Sequence, residues 1–151
     1  MIDFSGPAGE CGLPLVEYPI MKRFLELSGI LELGTGIFVL AAPALFTLIL
    51  FGKVPDSPSG LACARIAGAA LLSLGVVCWL GRRSIQDGAV TAIIAAMLTY
   101  NVIVSALLLW LRFGADMTGI GLLPASALHI ALAFWSSTLF RLTWVTSKHS
   151  V

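Results

Sequence analysis

Four strongly polar residues stand inside runs that are otherwise apolar: Glu32, Arg65, Asn101 and His129. A carboxylate and an imidazole held away from water are the groups that proton relays use, and with an amide and a guanidinium they could grip a small polar ligand. A charged side chain at such depth costs about 2.5–3.5 kcal/mol on insertion scales, so it is expected to face a protein interior or a wet cavity. Each of the four has a plainer reading. Polar side chains also act as glue between membrane helices, at roughly 0.6–2 kcal/mol apiece. Asn101 fits glue well, and Arg65 fits an interfacial anchor or a partner for Glu32. Glu26, four residues from Lys22, reads as interfacial. Tyr100 adjoins Asn101 but is turned about 100° away on a helix, where an aromatic side chain packs more often than it reacts.

Several kinds of chemistry lack their residues. The chain has no Cys-x-x-Cys, no His-Glu-x-x-His and no Gly-rich phosphate loop, so no metal centre or nucleotide site is expected. Nor is there a nucleophile–base arrangement beyond the polar residues already named, so no catalytic residue is assigned. His129 is the one histidine within an apolar run, because His149 lies near the end of the chain. A haem would therefore need His129 with a methionine such as Met97, or a histidine from each of two chains. No cofactor is expected on these grounds. Cys63 and Cys78, fifteen residues apart on one helix, stand about 22 Å apart and cannot form a disulfide. With Cys11, they make no disulfide framework.

The elements that must position these groups are legible from composition. Of 151 residues, 58% are hydrophobic and 11% charged. A soluble domain carries about a quarter charged residues, so the shortfall argues for a membrane protein. A net charge of +1 gives no case for nucleic acid as a partner. The expected fold is all-α, a single bundle of four transmembrane helices spanning about 24–42, 61–80, 89–111 and 119–140.

The first apolar run, Phe24 to Phe51, would be about 42 Å long as one helix, against a hydrocarbon core of about 30 Å. Pro43 removes a backbone donor and crowds the preceding turn. A span ending near Ala42 is therefore expected, followed by a short interfacial helix over 44–52; a kinked, tilted single helix is the alternative. Residues 1–20 read as an irregular cytoplasmic lead without the basic start and apolar centre of a signal peptide. Residues 142–151 read as a cytoplasmic tail. Lys22, Arg23, Arg82, Arg83, Arg141 and Lys148 fall on one side of such a bundle, with Lys53, Arg65 and Arg112 on the other. Six against three places both termini in the cytoplasm. Trp79, Trp110, Trp135 and Trp144 fall near helix ends, as an aromatic belt requires.

Measured from the inner face, Glu32 lies about 12 Å deep, His129 about 16 Å and Asn101 about 18 Å, with Arg65 about 6 Å from the outer face. Helical periodicity groups Glu32 with Ser28, Gly29, Thr35 and Gly36, Arg65 with Gly68 and Ala69, Asn101 with Met97 and Ser105, and His129 with Ala125, Ser126 and Ala133. Small residues mark close-packed faces of membrane helices. Glu32, Arg65, Asn101 and His129 are thus the ligand-binding or proton-relay candidates, with Ser28, Thr35, Tyr100 and Ser126 beside them.

The ordered set Leu31-Glu32-Leu33-Gly34-Thr35-Gly36, Ala42-Pro43, Ala64-Arg65-Ile66-Ala67-Gly68 running into Leu74-Gly75, Tyr100-Asn101 and Leu128-His129 resembles small uncharacterised bacterial membrane proteins, loosely DoxX-like. The resemblance covers about residues 21–140. It implies a bacterial inner membrane and carries over Glu32, Arg65, Asn101 and His129, but no settled reaction; some DoxX-like proteins are linked to quinone or sulfur metabolism. No redox cysteine motif accompanies it here. Three functions follow as expectations. One is a non-catalytic bundle whose polar core fixes helix packing or binds a small ligand or partner subunit. Another is an oligomeric proton-coupled transporter with Glu32 titrating. The third is a quinone- or lipid-linked redox accessory with His129 as proton donor. The partners expected are the bilayer and a second copy of the chain or a larger membrane complex.

Overall fold

A computed structural model describes residues 17–83 and 89–148, with side chains over 19–83 and 89–143. The lead up to residue 16 with Cys11, the turn 84–88, His149, and the side chains of Trp144 and Lys148 lie outside the described residues. Five helices follow in order: α1 Glu17–Ala41, α2 Pro43–Phe51, α3 Pro58–Gly81, α4 Ala89–Phe113 and α5 Leu122–Lys148. Stretches of four of them, Pro19–Ala41, Pro58–Gly81, Ala89–Phe113 and Leu122–Thr143, are long and apolar enough to cross a bilayer. Among the described residues the secondary structure is helical throughout, and the chain is a multi-pass membrane protein.

The break between α1 and α2 is the work of Pro43. Ala42 leaves the helical region at φ −136° and ψ 61°, as a residue before proline tends to do. Its amide still bonds to the Phe38 carbonyl at 2.9 Å, while its own carbonyl receives the Phe46 amide at 3.0 Å and so starts α2. Phe38 and Phe46 meet edge to face at 5.8 Å across the bend. The short second helix is therefore a separate element and not the tail of a long one. It ends at Gly52, whose φ of +78° lets the chain turn away at little cost. Ser57 then caps α3 by accepting the Gly60 amide at 3.1 Å, with Pro58 at the first helical position.

The helices associate as two antiparallel pairs, α1 with α3 and α4 with α5. Glycines set the first. Gly29 packs against Gly75 and Gly36 against Gly68, each couple seven residues from the next. A Cβ at Gly36 would stand 2.7 Å from the Leu72 amide nitrogen and 2.8 Å from the Gly68 carbonyl oxygen. Only hydrogen fits there, and backbones that close gain dispersion contacts and Cα–H···O interactions. Gly34, two residues away, meets nothing within 4 Å. The second pair uses hydroxyls as well as bulk. Ser126 and Ser136 are buried and return their hydroxyls to the Leu122 and Leu132 carbonyls at 2.7 Å, so neither spends a desolvation penalty unpaired. On α4 the buried set Val90, Ile94, Met97, Asn101, Ser105 and Leu108 forms one stripe at helical spacing.

Between the two pairs the backbones stand further apart, and large side chains fill the gap. Met21, Phe24, Leu25, Cys78, Ile94, Met97, Leu132 and Leu139 make this core. Phe24 of α1 meets Trp135 of α5 edge to face at 5.5 Å. At the same end Arg82 binds the Glu26 carboxylate at 2.9 Å, donates to the Trp79 carbonyl at 3.0 Å, and stacks 3.5 Å from the centre of the Trp79 ring. Glu26 therefore pairs across to α3 and not with Lys22 on its own helix. Removing Arg82 (Arg82→Ala) is expected to cost about 1 kcal/mol, since both partners are partly solvated, and Glu26→Gln less, because the stacking survives. Thermal unfolding in detergent micelles checks the order; equal losses would mean that the ring contact contributes nothing.

Candidate functional site

The polar residues of three spans meet where the two helix pairs face each other, midway along the bundle. Glu32 is 4% exposed on α1. The Tyr100 hydroxyl of α4 donates to its Oε2 at 3.4 Å, near the upper limit for a hydrogen bond. The Tyr100 ring meets His129 of α5 edge to face, with centroids 5.6 Å apart. His129 in turn pairs with Asn101: its Nδ1–H donates to Asn101 Oδ1 at 2.7 Å, and the Asn101 amide donates to the Met97 carbonyl, also at 2.7 Å. Fully buried Asn101 thus fixes both the orientation and the tautomer of the imidazole. In the neutral ring, Nε2 is left as a lone-pair acceptor without a hydrogen-bond partner among the described residues.

Ser28, one turn before Glu32 on the same side of α1, is fully buried, and its Oγ has no hydrogen-bond partner. That is unusual. Serine in a helix ordinarily returns its hydroxyl to a carbonyl three or four residues back, as Ser105, Ser126 and Ser136 do here. Thr35 is half-buried on α1, and Ser126 is committed to its own helix.

Arg65 stands apart from this group. The glycine couples place residue 29 opposite 75 and 36 opposite 68, so the level of Glu32 on α3 is that of Leu72. Arg65 is two turns further toward the α2 end, roughly 10 Å away along the axis. It is exposed and makes no hydrogen bond or ion pair among the described residues. Glu32 accordingly has no cation as partner there. The residue that does reach it, Tyr100, does so because the turn separating it from Asn101 aims it across the gap toward α1 while Asn101 faces α5.

The site is thus a connected set of one carboxyl, one phenol, one imidazole and one carboxamide, with one free hydroxyl a turn away from the carboxyl on α1, set within an apolar bundle. Among the described residues, no group of three or more His, Cys, Asp or Glu side chains comes together in a way that could hold a metal. No protein-family model matches the chain, and comparison with curated proteins and with solved structures found no match either. Fold and site define a class, the small multi-pass membrane bundle with a polar middle layer.

Proposed function

We propose that the chain is a non-catalytic protein of a bacterial inner membrane, both termini cytoplasmic, that binds a small lipid-soluble molecule in the polar layer between its two helix pairs. The supporting observation is unspent hydrogen-bonding capacity. Side chains that serve only as interhelical glue are expected to be satisfied, because a buried polar atom without a partner costs about 1–3 kcal/mol. Here the Ser28 hydroxyl has no partner, Glu32 accepts a single long hydrogen bond, and His129 Nε2 is open. A ligand carrying both a donor and an acceptor would draw on this capacity. Arg65 is no part of this reading.

Native mass spectrometry of the protein released from mild detergent tests it. Wild type is expected to carry a small molecule of constant mass, and Glu32→Gln and Ser28→Ala to lose it while unfolding at nearly the wild-type temperature. Loss of one hydrogen bond to a charged group weakens binding by roughly 10- to 100-fold. Equal ligand content in all three proteins, or none in wild type, would remove the proposal.

A second reading has its own support. A carboxyl touching a phenolic proton and facing no cation is suited to exchanging a proton with a transported substrate. Proton release when substrate is added to wild type, absent in Glu32→Gln, would favour that transporter over a passive binder.

A further inference from the structure

A hollow lies away from the polar layer, where α2, the following loop and the start of α3 meet. Its volume is about 350 Å³, and Thr47, Phe51, Lys53, Pro55, Cys63 and Met117 are among its walls. The helix order puts it at the end of the bundle opposite the Glu26–Arg82 pair, at the depth where acyl chains give way to headgroups.

The wall chemistry is one-sided. Thr47 is buried, and its hydroxyl is taken up by the Pro43 and Ala44 carbonyls, both at 3.0 Å. The Gly60 amide is taken by Ser57. The body of the pocket therefore offers an occupant apolar surface. Lys53 is the exception: it lines the hollow and is itself exposed, with a side chain long enough to bring its ammonium to the mouth. It forms no ion pair among the described residues, Asp56 three positions on included. The volume is at the low end for small-molecule sites, room for one alkyl chain and not two.

We infer that this hollow binds a free single-chain carboxylate amphiphile, a fatty acid, with its chain among Phe51, Pro55 and Met117 and its head on Lys53. Charge complementarity selects the anion, and the dry walls select the chain. The site is independent of the polar layer and stands or falls separately.

Cys63 supplies the readout, because its thiol is exposed and lines the hollow while Cys78 is buried. The protein would be placed in nanodiscs of zwitterionic phosphatidylcholine, and alkylation of Cys63 by N-ethylmaleimide followed by peptide mass spectrometry. Dodecanoate is expected to slow labelling of Cys63 in a saturable way, with Cys78 unlabelled throughout as the gauge of an intact fold. Lys53→Gln should raise the dodecanoate concentration required by about 5-fold, the worth of one cation near a membrane surface. Dodecanol should protect no better in wild type than in that variant. Three results would overturn the inference: no protection by dodecanoate, equal protection by dodecanol, or full protection by phosphatidylglycerol nanodiscs alone. The last would make the occupant a bilayer phospholipid.

Discussion

Gly36→Leu is expected to separate α1 from α3 and lose about 1–3 kcal/mol or more of stability, the usual toll of forcing extra carbons into a packed interface. The atoms that a Cβ meets there are the Leu72 amide and the Gly68 carbonyl, which belong to backbone and cannot swing aside as a side-chain end would. Against a total of about 5–15 kcal/mol for a typical domain, such a loss is severe. The control is built into the helix. Gly34→Leu, two residues away, meets open space and should stay within about 0.5 kcal/mol of wild type. Unfolding of both variants in mixed micelles decides the matter. If the two lose equally, the α1–α3 contact is not as close as described.

The second large effect concerns Asn101 and His129. Asn101→Leu deprives the half-buried His129 Nδ1–H of its acceptor and should cost about 1–3 kcal/mol, and His129→Leu should strand the Asn101 oxygen at similar cost. The double variant is expected to be less destabilised than the sum of the two, because replacing both partners with apolar groups leaves neither stranded. A double-mutant cycle measures that coupling directly. Strict additivity would show that the 2.7 Å contact carries no energy of its own.

The fold was legible in the sequence to a considerable depth. Apolar runs of spanning length are a matter of composition, and Pro43 acts locally, so four long helices and one short one could be read without knowing any contact. Helix ends were less so: α1 begins at Glu17, inside what reads as an irregular lead, and α5 continues to Lys148, into what reads as a tail. The site was legible in part. Helical rise alone brings Glu32, Asn101 and His129 to similar depth, and the small neighbours of each point to a buried face. Rotation about the helix axes is a tertiary property, and it decides which groups touch. It sends Tyr100, and not Asn101, toward Glu32. Relative sliding is tertiary too. The pairing of Gly29 with Gly75 sets Arg65 two turns from the carboxyl it might have neutralised. Glu26 was legible as interfacial, but its pairing with Arg82 depends on how α1 and α3 slide and rotate against each other. Nothing in the sequence distinguishes the unpartnered hydroxyl of Ser28 from those of Ser126 or Ser136.

Each of the two close helix pairs is a continuous piece of chain, residues 17–83 for one and 89–148 for the other. As the polypeptide leaves the ribosome, the glycine-lined half can zip together before the remainder has entered the bilayer. Glu32 and Ser28 belong to that early half, and Tyr100, Asn101 and His129 to the late one. The polar layer thus comes into being only after α4 and α5 have followed, and until then its carboxyl must wait without the phenol that will meet it.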